Sequence, residues 1–424
     1  MSIICGTDFS KPGGDALEVA VALATLRGDR EVVLVHALDA EPGSVPADEL
    51  AALRARLAAQ AAAARGAGPS VRSELVQGPP DRAVVDVAQA SAGDLIVIAA
   101  HSRAERAKAR LGTTAARVIA TTPVPVIVVR DPAPWLRFAR GERPLRVLLG
   151  IDDSATCDLG VQWTLALAKR GAIDIVLGAI YYPDDAAAYY GLPARSLVET
   201  DPEIERLIQR DLLRRFGNDG KAIARSVTAR ARRGLGRIGD HIIELAQGEQ
   251  VDAIVVGTSQ RTGLGRLGSV SSVIVEDAPE SVVCVPPQTA VATHGVPMLE
   301  RALVATDLSQ FANRAVPYAF ALTRADGEVF LVHVIKDDAE IDEAALLEQL
   351  AALAPAGARQ TLRVHLVRGE DTATVIAQCA ARFGVDVICI ASHGRSGLSR
   401  ALVGSVADSL LRATRLPVLV LRPA

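Results

Sequence analysis

An apolar run that leads into an aspartate and then a serine occurs three times in this chain, and no other feature restricts its fold as strongly. Gly6-Thr-Asp-Phe-Ser10, Gly150-Ile-Asp-Asp-Ser154 and Ala305-Thr-Asp-Leu-Ser309 each follow a short β-type run. Asp8, Asp152 and Asp307 stand 144 and 155 residues apart. That interval is too long for a solenoid repeat and suits a whole domain. A chain of 424 residues, enough for roughly two to four domains, accommodates three such units.

Each unit alternates strand and helix patterns. In the third, residues 301–305, 328–335, 362–367, 385–390 and 417–421 are short Val/Ile/Leu-rich runs that read as strands. Residues 312–323, 340–353 and 372–383, and those following Ser405, carry apolar positions at helical spacing. This alternation predicts an α/β fold of three tandem doubly wound domains, each a five-stranded parallel sheet flanked by helices. Near-continuous apolar strands imply a sheet covered on both faces. The segment 130–146 is charged and holds prolines, and 286–297 is turn-rich without periodicity; boundaries near 136–144 and 287–299 set the expected domains at 1–135, 144–287 and 299–424.

Hydrophobic residues make up 50% of the chain and aromatics only 3%, so the cores must be aliphatic. The net charge of −3 gives no electrostatic case for nucleic acid. Five cysteines without a CxxC pair argue against a disulfide framework or zinc site and read as small buried hydrophobes. The chain opens on Ile3-Ile-Cys-Gly-Thr-Asp8 rather than on a signal peptide, and no apolar run reaches the ~20 residues of a membrane span. The reading is a soluble cytoplasmic protein.

The richest chemistry lies between the fourth strand and fourth helix of the third unit, in Ile390-Ala-Ser-His-Gly-Arg-Ser-Gly-Leu-Ser-Arg-Ala-Leu-Val-Gly-Ser405. Glycine lets a backbone approach a phosphate closely, and a helix N-terminus offers unpaired N–H groups and a favourable dipole. The spacing Ala391-x2-Gly394-x9-Gly404-Ser405, in register with Asp307, resembles the G-x2-G-x9-G-[S/T] pattern of the universal stress protein family, and the resemblance covers essentially the whole chain. It implies the strand order 3-2-1-4-5 and an ATP site, with Mg relieving repulsion if Asp307 lies near the phosphates. The implied nucleotide-binding set is Thr306, Asp307, Val334, Ala391, His393, Gly394, Arg395, Gly404, Ser405 and Val406. In that set Val334 meets adenine through its main chain, and Arg395 is the better phosphate partner of the two residues flanking Gly394. Ser405 also reads as a plain helix cap, and Asp307 as a cap shared by all three units.

The other two units depart further. The first reads Ala99-x2-Ser102-x9-Gly112-Thr113, and the segment 103–111 has the composition of a helix. The second keeps Gly257, has Gln260 at the next position, and is two residues shorter before Gly268-Ser269. Neither is expected to bind ATP in the family manner. His36 and His333 occupy matching strand ends and read as structural.

No nucleophile, base or metal-ligand constellation stands out, so the expectation is no enzyme, slow ATP hydrolysis aside. The leading reading is a stress-response ATP-binding regulator. The alternatives are an interaction scaffold that binds no nucleotide and a nucleotide-using enzyme such as an adenylating enzyme. Tyr181, Tyr182, Tyr189 and Tyr190 cluster around Pro183-Asp-Asp-Ala-Ala-Ala188, as a surface for an unknown protein partner or as a loop packed on its own domain. The basic run 225–237 reads as a solvated strand and turn. Family domains commonly pair through their last strands; Pro286 and Pro287 curtail that of the second unit. The first and third units are then the expected pairing edges, and a homodimer follows from the odd number of units.

Overall fold

The computed structural model describes residues 2–40, 44–64, 68–101, 111–152, 154–193, 200–258, 269–289, 299–391 and 405–421. The first copy runs β1 (Ser2–Gly6), α1 (Lys11–Arg27), β2 (Glu31–Leu38), α2 (Ala47–Ala63), β3 (Ser70–Gln77), α3 (Pro80–Ala90), β4 (Leu95–Ala99), α4 (Thr113–Thr121) and β5 (Val126–Val129). A short helix α5 (Ala133–Ala139) follows. The second copy runs β6 (Leu145–Gly150), α6 (Ala155–Ala168), β7 (Ile173–Tyr181), α7 (Pro183–Tyr190), α8 (Pro202–Ile223), β8 (Ser226–Arg233), α9 (Ile238–Gly248), β9 (Ala253–Gly257), α10 (Val270–Asp277) and β10 (Ser281–Val285). The third begins with β11 (Leu299–Ala305), a 3-10 turn (Ala312–Arg314), α11 (Ala315–Leu322) and β12 (Thr323–Ile335). It continues through α12 (Glu343–Ala351), β13 (Thr361–Arg368), α13 (Thr372–Phe383), β14 (Val387–Ala391), α14 (Ser405–Ala413) and β15 (Val418–Leu421).

Local chemistry starts and stops these helices as the sequence suggests. Ser10 and Ser154 accept hydrogen bonds from the amides of Gly13 and Cys157, and Asp342 accepts one from Ala345, satisfying first-turn donors. Gly28 and Gly384 close α1 and α13 in the left-handed conformation.

The strands form two sheets. One has five parallel strands in the order β13-β12-β11-β14-β15, the expected 3-2-1-4-5. The other has ten strands, β3-β2-β1-β4-β5-β10-β9-β6-β7-β8, in which two such sheets join through an antiparallel β5–β10 pair. The first copy's last strand thus pairs, but with that of the second copy, which overturns the expectation that prolines curtail the latter. Val282, Val283 and Cys284 face Val128, Ile127 and Val126, and the ladder is complete before Pro286 is reached. The cores on both faces of the ten-stranded sheet run across this junction, one through Ile127 and Val283, the other through Val126, Val128, Val282 and Cys284.

Two elements outside the repeat pattern matter. The first interdomain segment is not featureless: α5 packs on α1 and sinks Trp135 and Phe138 into the core. The tyrosine segment divides between two compact units, one comprising 1–181 and 208–292, the other 182–207 and 293–424. Tyr181 ends β7 in the first, whereas α7, with Tyr189 and Tyr190, packs on α13 of the third copy in the second. The side-chain amide of Gln378 on α13 donates to the carbonyl of Ala188 at 3.1 Å. Along 225–237, β8 runs from 226 to 233, and Arg225, Arg230, Arg232 and Arg237 pair with Asp174, Glu249, Glu244 and Asp240.

Candidate functional site

In the third copy, helices leave the sheet on opposite faces next to one another. After β11 the chain enters α11, whose Ala315, Val316 and Ala319 pack with Ala302 and Val304. After β14 it enters α14, whose Ala407 and Leu410 pack with Ala305, Ile388 and Ile390 on the other face. Because β11 and β14 are neighbours, paired from Ala302↔Val387 to Ala305↔Ile390, a crevice opens at their carboxyl ends. That is where open α/β sheets bind ligands.

The β11 side of the crevice is a built turn. Asp307 is exposed, and its Oδ1 accepts from the amide of Ser309 at 2.9 Å. Ser309 Oγ in turn accepts from Ala312 at 3.1 Å. Leu308 between them has φ of 66°, a left-handed conformation that a branched side chain adopts only under constraint, and the Thr306 hydroxyl accepts from its amide at 3.0 Å. The first copy repeats the arrangement: Phe9 has φ of 62°, Thr7 Oγ1 accepts from its amide at 3.1 Å, and Asp8 Oδ1 accepts from Ser10. Asp152 Oδ1 accepts from Ser154 in the same way. The aspartate therefore has a turn-forming role in every copy.

The β12 wall is held by a histidine. His333 Nδ1 lies 2.8 Å from the carbonyl oxygen of Thr306, and His36 Nδ1 the same distance from that of Thr7. A carbonyl only accepts, so Nδ1 carries the proton in both. Val334 packs partly on the core and lies two residues beyond Val332, the last β12 residue paired with β11. Its main chain therefore reaches past the end of that ladder, toward the crevice.

The β14 side begins at Ala391 and resumes at Ser405, the exposed first residue of α14, followed by Val406. His393, Gly394, Arg395 and Gly404 lie outside the described residues, as do Ser102, the 103–110 segment, Gln260 and Gly268. The two other helix mouths differ from one another. In the first copy α4 starts at Thr113 with Gly112 as its cap, and the Gly112 amide donates to Ala100 O at 2.8 Å. In the second, Ser269 itself is the cap: its Oγ accepts from Ser272 N, so the hydroxyl and one first-turn donor satisfy each other.

What covers the turn also separates the copies, and sequence reasoning missed it. In the first copy α2 leans over the turn, with Gln60 Oε1 accepting from the Thr7 hydroxyl at 3.1 Å and the Arg56 guanidinium 4.3 Å from the Phe9 ring centroid. In the second, Arg215 of α8 donates to the carbonyls of Asp152 and Ser154 and to Asp158 Oδ1. Gly257 there serves packing, since a Cβ would stand 2.6 Å from the backbone of Thr156. In the third copy α12 carries no lysine or arginine, and the Thr306 hydroxyl instead meets Asn313 Oδ1 at 2.7 Å, from within the following turn. The visible hint was compositional: only α12 among these three helices is free of basic residues.

The remaining reactive side chains lie elsewhere. Burial pushes all five free thiols up, Cys5, Cys284 and Cys389 to about 12 and Cys157 and Cys379 to about 11, so thiolate chemistry is suppressed. Among the described residues no cluster of three or more His, Cys, Asp or Glu is placed to hold a metal, and no helix is long and apolar enough to cross a membrane.

The universal stress protein family model matches residues 1–130, 145–286 and 298–422. A universal stress protein of Mycobacterium tuberculosis is 29% identical over 189 residues, covering 41% of this chain and 62% of that relative's length. A second from the same organism is 24% identical over 311 residues, 67% of this chain and 99% of the relative. Among solved structures, a universal stress protein from Archaeoglobus fulgidus matches 67% of this chain and 98% of its own with a TM-score of 0.50 at 15% identity, a likeness of fold.

Proposed function

This chain belongs to the universal stress protein family, and from that premise we propose a non-enzymatic stress-response regulator that binds ATP in the third copy's crevice. The observation that carries the reading is the contrast between copies. The turns at Asp8 and Asp152 are covered by Arg56 with Gln60 and by Arg215, whereas α12, the corresponding helix of the third copy, contains no lysine or arginine.

In this reading the main chain of Val334 meets the base, and Thr306 and Asp307 hold the β11 side. The first-turn amides of α14, with the Ser405 hydroxyl, Val406 N–H and Gly404, receive phosphate oxygens. Gly394 lets the loop after Ala391 approach the phosphates, and His393 and Arg395 flank it. A triphosphate would bring its own Mg, ligated mainly by phosphate and water, with Asp307 the nearest carboxylate. Nucleotide occupancy then sets conformation or partner choice in the cytoplasm, in a protein that works as a homodimer. The first and second copies act as scaffold, which their mutual β5–β10 pairing favours.

Calorimetric titration of nucleotide-stripped protein with Mg-ATP, beside Gly394→Gln, tests this. One site per chain, lost in the variant, is the expected result. No binding by the wild-type protein would overturn it in favour of the pure scaffold, and binding unchanged by Gly394→Gln would remove the site from the third copy.

A further inference from the structure

The second copy departs from the other two in the segment that follows its second strand. Residues 39–46 join β2 to α2 and residues 336–342 join β12 to α12, whereas residues 182–201 separate β7 from α8. Within the extra length lies α7, which belongs to the same compact unit as the third copy. Ala186, Ala187 and Tyr190, one face of it at helical spacing, are buried, and Gly191 ends it in the left-handed conformation.

The seat on α13 is specialised for this helix. α3, α9 and α13 each begin nineteen residues before the last residue of the following strand, so their positions correspond without a gap. Where α3 has Arg82 and Asp86 and α9 has Asp240 and Glu244, α13 has the uncharged Thr374 and Gln378. Gln89 and Gln247 are exposed, and their counterpart Ala381 is buried. Gln378 donates from its side-chain amide to the Ala188 carbonyl in the last turn of α7, and a Cβ on Gly191 would stand 3.0 Å from the same side chain. A carboxylate at 378, as both equivalent positions carry, would repel that carbonyl instead.

α13 also packs on α14: Ala373, Ile376, Ala377 and Ala380 share one buried cluster with Ala407 and Leu410. Ser405 and Val406, at the start of α14, are the residues read above as receiving phosphate oxygens. α13 therefore touches both α14 and α7, and whatever orders α14 also orders the surface on which α7 sits. A rigid seat loses less entropy on docking than a mobile one, so a ligand at the mouth of α14 favours the docked helix. With eight residues α7 is too short to be a stable helix without its seat, so it is either docked or unfolded.

We propose that α7 is a strap controlled by the third copy's crevice: Mg-ATP at the mouth of α14 tightens its seat on α13, and its release weakens Mg-ATP binding. This rests on the nucleotide reading above and names the element through which occupancy is expressed. The test uses the full chain, stripped of nucleotide. Saturating Mg-ATP slows hydrogen exchange at 183–190 about fivefold or more. Gln378→Glu, from the α13 side, and Tyr190→Ser, from the α7 side, each raise the Kd for Mg-ATP by up to that same factor, because linkage is reciprocal. Exchange at Ala302–Ala305 and Val387–Ala391 stays as in the wild-type chain in both variants, which shows that the third copy's sheet is intact. Mg-ATP binding with exchange at 183–190 unaltered, or with the wild-type Kd in both variants, would overturn the strap and leave the nucleotide site standing. No Mg-ATP binding by the wild-type chain would overturn both.

Discussion

His333 Nδ1 lies 2.8 Å from the Thr306 carbonyl oxygen, and this contact ties the end of β12 to the turn that carries Asp307. His36 and Thr7 repeat it in the first copy at the same distance. A single hydrogen bond thus aligns two walls of the crevice.

Removing that bond should cost stability and ligand binding together. His333→Ala is expected to destabilise the fold by about 1–2 kcal/mol, because the Thr306 carbonyl loses a donor in a half-buried place. His333→Asn, whose amide N–H falls near the Nδ1 position, should restore most of it. Urea titration monitored by circular dichroism, with Mg-ATP titration of each variant, measures both effects.

Asp307 combines a turn-forming acceptor with a charge, and two substitutions separate them. Asp307→Asn keeps the Oδ1 that accepts from Ser309 and should change stability by less than about 1 kcal/mol. Asp307→Ala removes it and should cost about 1–2 kcal/mol. If Mg-ATP affinity falls in Asn and Ala variants alike, the charge acts on the ligand. If it falls only in the Ala variant, the turn does.

Gly257 matches the first glycine of the family's phosphate-loop pattern, yet the structure gives it a packing role. Gly257→Ala would force a methyl to within 2.6 Å of the Thr156 backbone. The expected cost is about 1–3 kcal/mol, seen as a lower thermal midpoint with nucleotide binding unchanged.

The α7 segment should be released from α13 without harm to the sheets. Gly191 holds φ of 64°, and a Cβ there would stand 3.0 Å from the Gln378 side chain. Gly191→Ala combined with Gln378→Ala is expected to raise hydrogen exchange at 183–190 by an order of magnitude or more. Exchange at Val126–Val129 and Ser281–Val285 should stay as it was.

His365 introduces a pH dependence. It stacks on Phe383 at 4.5 Å, its Nε2 is buried with no hydrogen-bond partner among the described residues, and burial, aided by Arg363, lowers its pKa from the usual value of about 6.5. The unfolded chain then binds this proton more readily than the folded one. Stability from the neutral ring is therefore full above about pH 6.5 and lost as pH falls through that value toward the lower folded pKa. His365→Phe should flatten the part of the stability profile below about pH 6.5 in urea titrations.

The tyrosine cluster shows where sequence reading stopped. Four tyrosines in a chain poor in aromatics pointed to a contact surface or to a loop packed on its own domain, but their number and spacing held no information about what they touch. Tyr190 is buried and Tyr189 meets it edge-on at 4.9 Å, in a helix that packs on a segment nearly two hundred residues away. Pro286 is the complementary case. Its power to end a strand was legible, but the β10 ladder had already been made by the three residues ending at Cys284.

The recurrence of Asp8, Asp152 and Asp307, the alternation of strand and helix, the strand-end position of Asp307 and the helix-start position of Ser405 were all determined by the sequence itself. Each depends on periodicity or spacing within a few dozen residues, and apolar runs of that length bury themselves in only a few ways. Tertiary structure alone decided that β5 pairs with β10, that α7 packs on α13, and that Arg56 and Arg215 lie over two of the three turns. Those outcomes depend on which distant surfaces fit one another. A long arginine side chain reaches many partners, and only the packed structure selects one.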